Sequence, residues 1–368
     1  MPGHPRAQAQ LHRGAGAVRE DAAALILAVA GPRLTADERA LFTERAPAGL
    51  IVFARNVEDR NQLRALIAEF REIAGEQALV LVDQEGGRVQ RLRPPLVDDL
   101  PAMRRFGLIA ESGDFVRAAA ALELAVRLQA QDLRDLAIDM NCAPVLDLVH
   151  ADADPVIGDR AFSSDPEIVS RLGRVAMETM LAVGILPVIK HIPGHGRAGE
   201  DTHLAPAVVD TPPEILARED FLPFRNLADA PAAMAAHIIY AAIDHERPAS
   251  LSPEVLDGVV RRDFGFEGLL LSDDLAMGAL RGGMGERVQR ALAAGCDLAL
   301  VCSGRMADNE EALACASPLA DKTRARLEAA RRRLGDARIM DRKIARERLQ
   351  RLLAGAPTRE EEVGEGAA

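Results

Sequence analysis

The chain reads as a single (β/α)8 barrel of the TIM type. Three observations predict it. Short, wholly apolar segments recur between amphipathic helices, ionisable or amide side chains follow nearly every one of them, and no low-complexity linker divides the 368 residues. α/β barrels run to ~250 residues and beyond as one unit, and 48% apolar content suits one large core.

Taken in order, residues 1–20 contain Pro, Gly, His and Arg without apolar periodicity and are expected to form a disordered arm. The barrel with its C-terminal helices is assigned to 21–353. Glu, Gly and Ala dominate 354–368, which predicts a disordered acidic tail. The apolar runs are Ala24–Val29, Gly49–Phe53, Ala78–Val82, Ala137–Met140, Leu186–Ile189, Ala233–Ile239, Gly268–Leu271 and Asp297–Val301. Runs of this length without polar alternation suit strands buried on both faces, as in a parallel sheet. Between them, Asn61–Ile73, Asp114–Leu136, Pro166–Val183 and Met284–Ala294 space their apolar residues three and four apart and predict helices. Thr35–Phe42 opens with Thr35 and carries Glu38 three residues on, a capping box. A doubly wound open sheet is the alternative. It would carry a Gly-rich phosphate loop after the first strand, and Gly31-Pro32-Arg33 is not one.

A net charge of −11 with mixed signs argues against nucleic acid, which needs a basic face. No stretch reaches the ~18 apolar residues of a membrane span. Ala24–Gly31 has the apolarity of a leader segment, but Glu20 and Asp21 precede it directly, so a first buried strand is the better reading. Cys142, Cys296, Cys302 and Cys315 show no paired spacing and read as reduced thiols, which points to the cytoplasm. Monomer or weak homodimer is the expected state.

Polar residues at the strand ends carry the functional signal. Arg55 and Asn56 follow the second run; Asp83, Gln84 and Glu85 the third; Asn141 and Asp147 the fourth. Lys190 and His191 close the fifth, His237 lies in the sixth, Asp273 and Asp274 close the seventh, and Ser303 follows the eighth. In a barrel these positions converge on the C-terminal rim, where barrel enzymes place their chemistry. Helix caps would account for one or two of them, not for nearly all.

Asp83–Arg91 packs two carboxylates, two glycines and two arginines into nine residues. The glycines allow a sharp turn and close approach, and Asp83 is placed to accept paired hydroxyls, although a helix-capping Asp is the bland reading. Lys190-His191-Ile192-Pro193-Gly194-His195-Gly196 leads into Asp201-Thr202-His203, an excursion over the barrel mouth. Asp201 and His203 are close enough in a turn for the carboxylate to orient the imidazole, which suits a proton donor and acceptor. A metal site of His191, His195, Asp201 and His203 competes, but the HxH typical of metal-dependent barrel hydrolases is missing from the first strand. Asp273, ending a buried strand, can serve as a nucleophile towards an anomeric carbon. It can equally cap the next helix, as can Asp274, and spacing alone does not choose. Arg160 sits in a long loop, to bind a polar group or to face solvent. With no Trp and one Tyr, Tyr240, a sugar pocket here relies on hydrogen bonds to one small saccharide unit rather than on an aromatic trough.

The stretches Lys190–Gly196 with Asp201–His203, Asp83–Leu92, Asn141–Asp147, Gly158–Phe162 and Ser272–Met277 together resemble the signature of glycoside hydrolase family 3 N-acetyl-β-glucosaminidases, over roughly residues 22 to 305. Ile192 stands where the family usually has Phe, and Thr202 where it often has Ser; neither change touches chemistry. The resemblance implies Asp273 as nucleophile and His203 as acid/base paired with Asp201. Asp83, Arg91, Arg160, Lys190 and His191 would then hold N-acetylglucosamine. It implies no cofactor and no metal. The substrate it implies is N-acetylglucosamine linked to 1,6-anhydro-N-acetylmuramyl peptides, small muropeptides cleaved with retention. A family-3 β-glucosidase, an N-acetylglucosaminide phosphorylase, a metal hydrolase and a non-catalytic sugar-binding barrel are the rivals.

Overall fold

The computed structural model describes residues 18–200, 202, 206–335 and 340–356. Eight parallel strands form the barrel: β1 (Ala23–Leu27), β2 (Pro47–Val52), β3 (Leu79–Val82), β4 (Met140–Asn141), β5, β6 (Ala232–Ala235), β7 (Leu269–Asp274) and β8 (Leu298–Val301). β5 is split at Val188 into Leu186–Pro187 and Ile189–Ile192. Its first half pairs with β4 and its second with β6. The sheet therefore begins and ends on the two halves of one strand, with nine segments in all. Val188 N–H bridges the break, donating to the Asn141 carbonyl at 2.9 Å. That split strand closes the ring, giving the (β/α)8 architecture expected from the apolar runs.

Strands β1, β2 and β3 are buried at every position, as required when a barrel core lies on one face and helices on the other. Helices form where the apolar spacing predicts them: Arg60–Ala74, Phe115–Asp135, Pro166–Val183 and Met284–Ala294. The Thr35 capping box is present, with Glu38 N–H donating to Thr35 Oγ1 at 3.1 Å and Thr35 N–H to Glu38 Oε2 at 2.8 Å. At the C-terminal end of the chain, Arg342–Leu353 packs on Phe115–Asp135, with Arg342 paired to Asp135 at 2.9 Å.

Two strand expectations shift. The run Ala137–Met140 is not a strand at its start: Ala137 takes φ 64°, and Ile138 N–H returns to the Leu133 carbonyl at 3.0 Å. The preceding helix needs those groups to cap its last carbonyls, so pairing waits until Met140. The run Ala233–Ile239 breaks at Ala236. Beyond the break, Ile238–Tyr240 leaves the barrel and pairs with Ala207–Val209. This small sheet covers a separate apolar cluster that includes Phe221, Ile238 and Tyr240.

The expected arm over 1–20 and tail over 354–368 fall almost wholly outside the described residues. Val18 and Ala356, at the described margins, are buried.

Carboxylates at the N-terminal ends of strands hold structure instead of chemistry. Asp139 accepts Val80 N–H at 2.9 Å and pairs with Arg71 at 2.7 Å. Asp297 accepts Leu270 N–H at 2.9 Å and pairs with Arg261 and Arg326. Neighbouring strands are tied together from below, the face where barrels secure stability.

Candidate active site

At the C-terminal mouth of the barrel a cavity of about 450 Å3 is lined by Asp83, Arg91, Arg160, Lys190, His191 and Asp273. Those six residues were expected at the site from sequence, and they come from the ends of four strands and the loops that follow. The remaining two, Asp201 and His203, lie outside the described residues. Thr202, between them in sequence, is buried and lines the same cavity.

The third strand and its hairpin supply the anionic side. Gly86 and Gly87 have φ 113° and 56°, so only glycine turns the chain here without strain. That turn pairs Gln84–Gly86 with Val89–Gln90 and brings Arg91 back to Asp83 at 3.1 Å. Lys190 Nζ donates to Asp83 Oδ1 at 2.9 Å. Burial works against the Asp83 charge, but the Lys190 and Arg91 cations overcome it and hold its carboxyl below the usual range.

Glu85, which the sequence reading left without a role, lies at the centre of this side. Arg160 grips it with two parallel bonds, Nε to Oε2 at 2.8 Å and Nη2 to Oε1 at 2.9 Å. Lys190 Nζ sits 2.6 Å from Oε1. Despite burial, the Arg160 and Lys190 charges bring the Glu85 carboxyl down to about 2. The same carboxylates push the Lys190 ammonium up against the effect of its own burial. Two carboxylates and three cations thus form one network in which each buried charge has a partner.

Lys190 and His191, joined by a cis peptide bond, both line the cavity. His191 Nδ1 lies 2.6 Å from Asp147 Oδ2. His195 places Nε2 3.1 Å from Thr202 Oγ1; burial, and after it the nearby His191 ring, lower its pKa to about 4.

The two aspartates that close β7 separate by their hydrogen bonds. Asp274 Oδ1 accepts backbone N–H groups from Ala276 and Cys302, both at 2.9 Å, and so ties β7 to β8. Asp273 Oδ1 accepts Asp274 N–H at 2.8 Å, while among the described residues Oδ2 has no hydrogen-bond donor. Burial raises the Asp273 carboxyl, but the His191 and His237 rings, the Asp274 N–H and Lys190 more than offset it and leave it lowered. Asp274 is shifted the other way, upward, by burial. Asp274 thus takes the amide-capping place that spacing left unassigned, and Asp273 is the carboxylate that its surroundings hold ionised in the cavity.

His237 fixes that peptide from behind. Its Nε2 donates to the Asp274 carbonyl at 3.0 Å, and its Nδ1 accepts from Ser250 Oγ at 2.7 Å. Burial lowers its pKa, which favours the neutral ring that this pair of bonds requires.

Phe53 is the aromatic wall of the cavity, with the Arg55 and Arg91 guanidiniums 4.7 and 5.0 Å from its ring centroid. Glu85, Asp147 and His237 were placed at the rim in the sequence without a site role, His195 figured only in the metal alternative, and Phe53 was not singled out. A charged residue just beyond a strand end was the available signal for Glu85 and Asp147. Nothing local marks Phe53.

Among the described residues no helix is long and apolar enough to cross a membrane, and all four cysteines are free thiols.

Residues 17–336 match the Glycosyl hydrolase family 3 N terminal domain. A beta-hexosaminidase of Stenotrophomonas maltophilia is 39% identical over 288 residues, which cover 77% of this chain and 84% of that one. Among solved structures, NagZ from Neisseria gonorrhoeae in complex with N-trifluoroacetyl-D-glucosamine superposes with TM-score 0.82 at 30% identity, covering 92% of this chain and all of that one. A family 3 beta-N-acetylglucosaminidase from a Paenibacillus strain gives 0.79 at 32% identity, over 90% of this chain and 68% of its own.

Proposed function

From a chain that belongs to glycosyl hydrolase family 3 and is a β-N-acetylhexosaminidase within it, we propose retaining, exo-acting release of N-acetylglucosamine through a glycosyl-aspartate. The observation that carries this reading is the asymmetry at the end of β7. Both line the cavity, but Asp274 is anchored through Oδ1 by two backbone amides and its carboxyl is raised by burial, whereas Asp273 is held ionised by the cationic groups around it.

In the proposed reaction, Asp273 Oδ2 attacks the anomeric carbon and the bond to the leaving oxygen breaks as His203 protonates that oxygen. His203, oriented by Asp201, then takes a proton from water, which displaces Asp273 and releases the sugar with its configuration retained. Asp83, Arg91, Arg160, Lys190 and His191 hold the sugar hydroxyls and the acetamido group. The network through Glu85 keeps the cations among them fixed, so their orientation is prepared before substrate arrives.

The substrate we propose is N-acetylglucosamine linked to 1,6-anhydro-N-acetylmuramyl peptides from peptidoglycan, hydrolysed in the cytoplasm by a monomer or weak homodimer without metal or cofactor. A cavity of this size takes one saccharide unit deeply, which favours small fragments over polymer.

The test is turnover of 4-nitrophenyl N-acetyl-β-glucosaminide and of a muropeptide, with the product configuration followed by NMR. Retention and a covalent adduct on Asp273 under slow-substrate conditions are expected. Nitrophenol release by Asp273→Ala at the parental rate sinks the nucleophile assignment. A sugar-1-phosphate formed in phosphate buffer points to phosphorolysis.

A further inference from the structure

We propose that Asp147 is a positioning residue that selects the ring tautomer of His191, and so decides whether the atom facing the sugar, Nε2, accepts or donates a hydrogen bond. The inference rests on the assignment of the cavity as a sugar site only for its kinetic consequence; the tautomer itself follows from local geometry.

Asp147 is fully buried and lies in the segment that follows β4. Its carboxylate gathers three donors from the start of the histidine-rich excursion. Oδ1 accepts the backbone N–H of His195 at 2.7 Å and that of His191 at 3.1 Å. Oδ2 lies 3.2 Å from the His191 N–H and 2.6 Å from His191 Nδ1. Burial alone would favour a protonated Asp147, but the His191 ring, with the amide of His195 added, holds its carboxyl below the ordinary range. Asp147 is therefore an acceptor only.

An acceptor at 2.6 Å obliges His191 Nδ1 to carry a hydrogen. The ring is then held in one orientation by a partner that cannot rotate away, because its oxygens also serve two backbone amides. Among the described residues Nε2 has no partner, although the ring lines the cavity. Nε2 is thus the atom left for a substrate hydroxyl. The arrangement has the same logic as a buried carboxylate setting the tautomer of a catalytic histidine. Here it acts on a ring that lines the proposed sugar cavity.

Asp147→Asn keeps the size and reverses the message. The amide oxygen can still accept the two backbone N–H groups, which turns the NH2 towards His191 Nδ1. Two donors cannot face each other at this distance, so the ring proton moves to Nε2. The atom facing the sugar stays Nε2 but changes from an acceptor to an obligate donor.

The experiment uses the full chain labelled with 15N-histidine. Long-range 1H–15N spectra identify His191 by its loss in His191→Ala. A proton on Nδ1 in the parent and its absence from Nδ1 in Asp147→Asn are expected. A parent ring without a proton on Nδ1, or a variant ring that retains it, overturns the proposal. These spectra need no turnover, so they decide the tautomer even if the chain hydrolyses no hexosaminide, and the parent spectrum decides it even if Asp147→Asn does not fold. On 4-nitrophenyl N-acetyl-β-glucosaminide, Asp147→Asn should lower kcat/KM about tenfold to hundredfold, the penalty of one mismatched buried hydrogen bond. In a His191→Ala background the same substitution should change kcat/KM less than about twofold. Equal losses in both backgrounds would show that Asp147 only props the loop.

Discussion

The Lys190 ammonium lies 2.6 Å from Glu85 Oε1, with side-chain exposures of 3% and 2%. Each is a charge that burial penalises, and each is held ionised in part by the other. Arg160 completes the arrangement with its two bonds to Glu85. The placement of these cavity-lining cations and the stability of the barrel mouth therefore depend on the same carboxylate.

This dependence sets a pH signature. Glu85 has a folded value of about 2 against an ordinary 4.5. A depressed acid contributes stability that is present above about 4.5 and is lost as pH falls towards 2. Glu85→Gln should destabilise the chain at pH 7 by about 3 kcal/mol, since it also leaves Lys190 and Arg160 short of a partner. Denaturant unfolding of parent and variant at pH 7, 5 and 3 should show the gap narrowing on acidification. A constant gap would mean that Glu85 is not ionised in the fold.

His195 titrates in the neighbouring window. Burial and the His191 ring bring it to about 4 from an ordinary 6.5. A lowered base also contributes stability that is complete above its unfolded value, here about 6.5, and falls away as pH drops through about 4. Melting temperature should decline between pH 6.5 and 4, and His195→Asn should flatten that part of the profile. An unaltered profile in the variant would remove His195 as the cause.

The adjacent aspartates should part company on mutation. Asp273→Ala is expected to lower kcat by at least about 1000-fold while leaving the melting temperature within a few degrees, since it gives up one local bond. Asp274→Ala strands the amides of Ala276 and Cys302 and should cost about 2 kcal/mol. Thermal melts and initial rates on the two variants separate a chemical role from a structural one.

Gly196 has no room for a side chain. A Cβ there would collide with the Leu148 carbonyl, next to Asp147. Gly196→Ala must push the excursion off that segment, at about 1–3 kcal/mol, and should lower kcat/KM by more than tenfold through displacement of His191 and His195. A fully active Gly196→Ala enzyme would show that the close approach is dispensable.

Much of the barrel was readable in the residues because apolar runs of strand length and helices of 3.6 periodicity are local patterns. The helices Pro166–Val183 and Met284–Ala294 coincide with their predicted limits. The late strand start after Ala137 came from a local helix cap that a hydropathy pattern does not register, and the break at Ala236 from a non-local demand, a second sheet drawing Ile238–Tyr240 out of the barrel. Asp83, Lys190, His191 and Asp273 were identifiable because strand ends in a barrel share one rim, Arg91 and Arg160 through the family resemblance, and all six line one cavity.

The order of residues along the chain was enough to determine which polar groups gather at the mouth, since barrel closure brings all C-terminal strand ends together whatever the detail. It did not determine how they are wired. That Glu85 binds Arg160 across 75 residues and Lys190 across 105, that Asp147 rather than a nearer acid faces His191, and that Asp274 reaches across to the Cys302 amide while Asp273 does not, were decided by tertiary structure. The physical reason is that buried charge is tolerated only with a partner at hydrogen-bond distance. Which partner that is depends on packing across the ring and not on spacing along the chain.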